Sequence, residues 1–179
     1  MRLFTSIRLQ PELHDELKKT QLFLRGKGLD GRYTDEKNFH LTLAFIGEYP
    51  SPQKVMKALR EVPFAPFPLI LQNRLGRFGH LLWVGVENSP PLQKLQSSLC
   101  AALTTHEIPF DNKAFHPHIT IVREARPGGE AERICREWKA EPVSMTVQSL
   151  SLMQSQRVGG KMVYIEVGRV MASRNDTKS

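Results

Sequence analysis

His40 and His118 each open the same four-residue pattern, histidine, apolar, threonine, apolar: His40-Leu41-Thr42-Leu43 and His118-Ile119-Thr120-Ile121. Imidazole exchanges protons near neutral pH, and a threonine hydroxyl can donate to a phosphoryl oxygen. Two of each suit acid–base attack on a phosphodiester. One histidine takes a proton from the nucleophile while the other gives one to the leaving group, and the hydroxyls steady the growing negative charge.

On a strand, successive side chains alternate faces, so His40 and Thr42 share one face while Leu41 and Leu43 point to the core. His118 and Thr120 repeat this over Ile119 and Ile121. A single histidine on an apolar strand is more often a hydrogen-bonded core residue than a catalyst. Two copies of the same polar pair in one small chain are harder to attribute to packing. Arg123 comes after the second motif at an odd offset from His118. A straight strand would turn it to the opposite face, so a bulge or the strand's end must bring it round before its guanidinium can clamp a phosphate.

Other chemistries fit less well. His116, His118 and His40 are the one candidate metal set, but the first motif has no counterpart of His116 and no cysteine or acidic cluster accompanies it, so no metal is expected. His14, His80 and His106 fall in helix or loop contexts and read as solvated or capping residues. There is no Walker loop, dinucleotide fingerprint or Gly-x-Ser-x-Gly elbow, so neither ATP nor another cofactor is implied.

The motifs must be positioned by strands. The opening Arg2 to Leu9 alternates like one, and Pro11-Glu12 starts a helix with Leu13, Leu17 and Leu24 on one face, ending near Gly26-Lys27-Gly28. Ser51-Pro52 starts a second helix, to about Glu61, and Ser89-Pro90-Pro91 a third, ending near His106. Phe67 to Gln72 and Leu81 to Val86 read as paired strands, with Arg74 to His80 as the hairpin loop. After the strand His118 to Val122, Gly128-Gly129 and Glu130 to Lys139 suggest a loop and a short helix. Strands at Val143 to Met153 and Lys161 to Val167 come next, around a Gly159-Gly160 turn. Short connections favour antiparallel pairing and an α+β fold.

The chain has 179 residues, enough for one domain or two tightly packed lobes. No segment reaches the length of a membrane span, and no signal peptide is read at the start. A net charge of +7 and a pI near 9.6 favour a polyanionic partner. Cys100 and Cys135 lack metal or redox spacing and read as buried, reduced thiols on helices, so a cytoplasmic location is expected. The polar end, from Arg169 onward, reads as frayed.

At the level of whole motifs the chain resembles the 2H phosphoesterase superfamily, specifically the bacterial RNA 2′,3′-cyclic phosphodiesterases first described as 2′-5′ RNA ligases. The resemblance rests on both His-x-Thr-x motifs, Arg2-Leu3-Phe4, Gly47-Glu48, Leu82-Trp83-Val84-Gly85-Val86, Phe115-His116-Pro117-His118 and Arg123. It implies an α+β, bilobal fold: pseudo-twofold related antiparallel sheets flanked by helices, with a central groove. Residues 1–170 would form that domain and 171–179 a disordered tail. It also implies His40 as proton donor to the ribose 3′-oxygen and His118 as proton acceptor from water, with Thr42 and Thr120 catalytic and Arg123 substrate-binding. The implied partner is RNA ending in a 2′,3′-cyclic phosphate, such as a tRNA half, acted on by a monomer without metal or ATP. The product would be a 2′-phosphate, and reversal would give 2′-5′ ligation. Tyr33 departs from the family's frequent tryptophan. Two alternatives remain: a non-catalytic RNA-binding module stacking bases on Phe39, Phe78, Tyr33 or Trp83, or a phosphodiesterase for a small cyclic nucleotide or 2′-5′ oligonucleotide.

Overall fold

The computed structural model describes residues 1–126, 129–139 and 141–173. Strand β1 (Arg2–Arg8) is buried along almost its whole length because it lies between two neighbours. Helix α1 (Pro11–Gly26) starts on its proline and buries Leu13, Leu17 and Leu24. A two-residue strand β2 (Arg32–Tyr33) and a 3₁₀ turn at Glu36–Asn38 then deliver the chain to β3 (His40–Glu48). Helix α2 (Pro52–Arg60) is capped by Ser51, whose hydroxyl accepts from the Lys54 amide at 3.3 Å. Next come β4 (Phe67–Phe78), β5 (Leu81–Val86), α3 (Pro90–Thr105), β6 (His118–Arg123), α4 (Gly129–Glu137), β7 (Ser144–Val147), β8 (Ser149–Val158) and β9 (Lys161–Met171).

The strands form two antiparallel sheets, ordered β3-β1-β8-β9 and β2-β6-β5-β4-β7. Apart from β2, the orders correspond strand for strand, with one His-x-Thr motif on β3 and the other on β6. This is the α+β, bilobal, pseudo-twofold arrangement expected. The helices are exchanged between lobes: α1 leaves the first sheet yet packs on β6 and β7 of the second, and α3 leaves the second yet packs on β3 of the first. Leucines from both sheets and from α1, α2 and α3 join one buried core. Within it Leu41 and Ile119, both fully buried, pin the register of the motif strands. A one-residue slip would expose each and bury its histidine, forfeiting about 2 kcal/mol of apolar burial per side chain.

Several boundaries differ from expectation. Arg74 to Phe78 continue β4 rather than forming a loop, leaving Gly79 and His80 as a two-residue turn with Gly79 at φ 57°. The apolar run from Val143 to Met153 is two strands, because the chain crosses from one sheet to the other at Gln148. The C-terminal segment is also more ordered than its composition suggested: Arg169 to Met171 belong to β9, and the Ala172 and Ser173 amides donate to Gln148 and Phe64 carbonyls. Gly128 and residues 174–179 lie outside the described residues. Cys100 and Cys135 are free thiols on helices but are half-buried rather than buried. Among the described residues no helix is long and apolar enough to cross a membrane.

Gly76 explains why β4 carries a glycine mid-strand. It is paired with Trp83, whose indole lies across its backbone, so that a Cβ there would overlap the ring. Gly76→Ala is expected to destabilise the protein by about 1–3 kcal/mol, the scale of an overpacked site. It should also shift the Trp83 emission. Urea unfolding followed by fluorescence checks both, and an unchanged midpoint and spectrum would show that the ring does not rest there.

Candidate active site

The two motif strands share a distortion. Thr42 pairs with Ser6 and Ala44 with Thr5, so Leu43 is an extra residue on β3. Thr120 pairs with Trp83 and Val122 with Leu82, so Ile121 is the extra residue on β6. Each is a β-bulge at the fourth position of its motif, and each puts two consecutive buried residues, Leu43-Ala44 and Ile121-Val122, into an otherwise alternating strand. The bulge re-phases the remainder of the strand. Arg123 therefore returns to the face that carries His118 and Thr120, by the device its odd offset demanded.

A bulge frees a carbonyl from the ladder, and a buried unpaired carbonyl is costly. Here the opposite lobe supplies the donors. Gln21 of α1 donates to the Ile121 carbonyl at 3.0 Å, and Gln96 of α3 to the Leu43 carbonyl at 3.4 Å. The chain ahead of each motif crosses over in the same way: the Thr34 amide donates to Ile121, and the Asp111 amide to Phe45.

Both histidines are oriented alike. Nδ1 of His40 lies 2.7 Å from the Asn38 carbonyl and Nδ1 of His118 lies 2.6 Å from the His116 carbonyl. A carbonyl only accepts, so each Nδ1 carries the proton and each Nε2 is left for chemistry. The two Nε2 atoms differ in surroundings. That of His40 accepts from the Thr42 hydroxyl at 2.9 Å. The His40 pKa is lowered to about 4, chiefly by burial; the Asn38 carbonyl pulls it upward, and the neighbouring Arg123 and His118 side chains add to the lowering. With β3 and β6 in direct contact, the charges of Arg123 and His118 are near enough to be felt at His40, and Thr42 and Thr120 lie on the same strand faces as the histidines.

The walls are aromatic, a feature that the motifs alone did not assign to the site. Phe4 and Tyr164 stand 4.9 and 5.0 Å from the His40 ring; Phe78 and Trp83 stand 5.2 and 5.7 Å from that of His118. They come from β1, β9, β4 and β5; Phe78 and Trp83 are stacking candidates already in the sequence, and the sheet pairing adds Phe4 and Tyr164. Two other suggested platforms are occupied: Phe39 is buried in the core, and Arg25 covers the Tyr33 ring at 3.9 Å. His116 serves through its carbonyl, and among the described residues no three His, Cys, Asp or Glu side chains gather as a metal set. His14 packs on Phe39, His80 sits in the β4–β5 turn, and His106 ends α3 with its Nε2 2.7 Å from Glu61. Two imidazoles whose Nε2 atoms carry no proton, two hydroxyls and a guanidinium together can move protons about an anionic phosphoryl group.

Comparison with known proteins places the chain in a family. Residues 8–159 match the model of the 2′-5′ RNA ligase superfamily. An RNA 2′,3′-cyclic phosphodiesterase of Thermotoga maritima is 28% identical over 165 residues, covering 87% of each chain. One of Aeropyrum pernix is 30% identical over 139 residues, 72% of this chain and 78% of that one. The apo structure of E. coli LigT superposes with a TM-score of 0.76 at 25% identity, covering 97% of this chain and 98% of that one. On its motifs, its topology and these matches, the chain belongs to the 2′-5′ RNA ligase superfamily, the 2H phosphoesterases.

Proposed function

We propose that this protein hydrolyses the 2′,3′-cyclic phosphodiester at an RNA end to a 2′-phosphomonoester, by two-histidine acid–base catalysis without metal or ATP. The observation that carries the reading is the duplicated tautomer lock, Asn38 on His40 and His116 on His118, which fixes the proton on each Nδ1 and leaves each Nε2 as the nitrogen available for proton transfer. The activity named for the relatives, RNA 2′,3′-cyclic phosphodiesterase, supplies the substrate class.

In the proposed reaction His118 Nε2 takes a proton from water as the water oxygen bonds to phosphorus. The bond from phosphorus to the ribose 3′-oxygen breaks, and His40 Nε2–H protonates that oxygen. Arg123, Thr42 and Thr120 donate to the non-bridging oxygens, whose charge grows in the transition state. The 2′-oxygen keeps the phosphate. A terminal 5′-hydroxyl in place of water would form a 2′-5′ bond, the ligation direction. The protein would act as a monomer in a reducing, cytoplasmic setting, with residues 1–170 as one working unit.

With its pKa lowered to about 4, His40 is neutral near pH 7, whereas a proton donor must carry its proton. The anionic substrate corrects this: its charge offsets Arg123 and stabilises the imidazolium beside it. The lowered pKa also favours a specific second assignment, with His40 as base and His118 as acid. A substrate with sulfur in place of the 3′-oxygen separates the two, because a thiolate leaves without a proton.

With EDTA present and ATP absent, a short RNA ending in a 2′,3′-cyclic phosphate should yield a 2′-phosphate. His40→Ala and His118→Ala should each lower kcat by at least ~10²-fold, the scale of a lost general acid or base. Wild-type turnover in either variant would sink the assignment. On the 3′-thio substrate His40→Ala should recover most of its loss and His118→Ala should not; the opposite pattern establishes the exchanged roles. By NMR, the His40 ring of the free protein should titrate near pH 4, and a bound nucleoside 2′-phosphate should move its midpoint upward. An ordinary midpoint near 6.5 in the free protein would remove the burial argument.

A further inference from the structure

Away from the two histidines, a cavity of about 510 Å³ opens between β4 and α4. Arg74 and Arg77 from β4, and Arg136 and Lys139 from α4 and the segment after it, line it together with Trp138. Glu132 is the one carboxylate among its lining residues. The other acidic side chains of α4 are engaged elsewhere, Glu130 with Arg133 and Glu137 with Lys27. None of the four cations takes part in an ion pair among the described residues. So much uncompensated positive charge around an aromatic side chain suits a polyanion with flat bases.

The cavity is connected to the catalytic groove by shared residues. Arg74 also lines a second hollow, of about 260 Å³, with Phe78, Trp83 and His116. Its guanidinium lies 5.9 Å from the centre of the Trp83 ring, and Trp83 and Phe78 in turn flank His118. A continuous path therefore runs from His118 across Trp83 and past Arg74 to Arg77, Arg136 and Lys139. Arg74, Arg136 and Lys139 are exposed, and the cations are spread over two elements. That is how a protein tracks a nucleic-acid backbone; a site for one small phosphate gathers its donors around a single point.

We propose that this cavity holds the single-stranded RNA immediately upstream of the reacting end, with backbone phosphates on Arg77, Arg136 and Lys139 beside the Trp138 ring, which also neighbours Phe23 at 4.7 Å. This rests on the reading of RNA as the substrate. It adds a second binding region that a cyclic mononucleotide cannot reach, so polymer and mononucleotide are distinguished outside the catalytic centre.

The test is a double variant, Arg136→Ala with Lys139→Ala, both on exposed side chains. With a cyclic-phosphate RNA oligonucleotide its KM should rise about tenfold, the effect of two lost phosphate contacts, at little cost in kcat. The dependence of log KM on log salt should flatten by about 1.4, because each contact to a single strand contributes about 0.7. Hydrolysis of a nucleoside 2′,3′-cyclic phosphate should be unchanged. Anisotropy with a labelled 3′-hydroxyl RNA should show the same weakening without any turnover. Unchanged KM, salt slope and anisotropy would overturn the proposal, as would equal losses on RNA and mononucleotide. RNA binding that depends on these cations, in a protein with no turnover of either cyclic phosphate, would support the cavity and overturn only the catalytic reading.

Discussion

The structure depends on a pair of misfit residues. Leu43 and Ile121 are each one residue too many for the strand opposite, and the bulges they make do two things at once. They shift the phase of the strand beyond the motif, which brings Arg123 to the catalytic face. They also leave two bulge carbonyls to be satisfied, each a group that costs about 1–3 kcal/mol if buried without a partner. Gln96 donates to that of Leu43, and Gln21 joins the Thr34 amide on that of Ile121; both glutamines stand on helices that cross from one sheet to pack on the other. Satisfying the bulges thereby ties each lobe's catalytic strand to a helix that succeeds a strand of the other. The relation between the two histidines is set by these ties as well as by the apolar core.

On this near-symmetric frame the side chains are deliberately unequal. Position for position, Phe45 on β3 corresponds to Arg123 on β6, so only one lobe puts a guanidinium there. Arg2 lies over the Phe45 ring at 5.0 Å, which leaves the first lobe's surface apolar beneath its cation. His40 is closed by Thr42 and held neutral, whereas the hydrogen bond found at His118 is the one on its other ring nitrogen. Acid–base chemistry needs this difference, because two histidines in identical surroundings would compete for the same proton state instead of dividing it.

Much of the site was legible in the sequence because alternation is a strong signal. His40 with Thr42 and His118 with Thr120 announced one polar and one apolar face, and the structure places them so. Helix starts were equally clear, since Ser51-Pro52 and Ser89-Pro90 each supply a cap and a first residue whose missing amide costs nothing there. The misreadings have physical reasons. Gly76 reads as a turn residue, yet it stays in β4 because the Trp83 ring occupies the space of a side chain. The break at Gln148 is invisible because apolar residues continue while the chain changes sheets. The bulges left one local trace, the doublets Leu43-Ala44 and Ile121-Val122, which only strand pairing can turn into geometry.

The lowered pKa of His40 links substrate recognition to catalysis. A histidine buried beside Arg123 and a second imidazole resists taking a proton, so near pH 7 little of the proposed acid is in active form without a compensating negative charge. A bound phosphodiester changes the balance by adding negative charge where Arg123 had been unopposed, and protonation and binding then favour one another by linkage. A neutral ester of similar shape would fill the same space without charging His40. On the proposed mechanism, selectivity for anionic phosphoryl groups would arise from the electrostatics of the acid itself, in addition to the contacts proposed for Arg123.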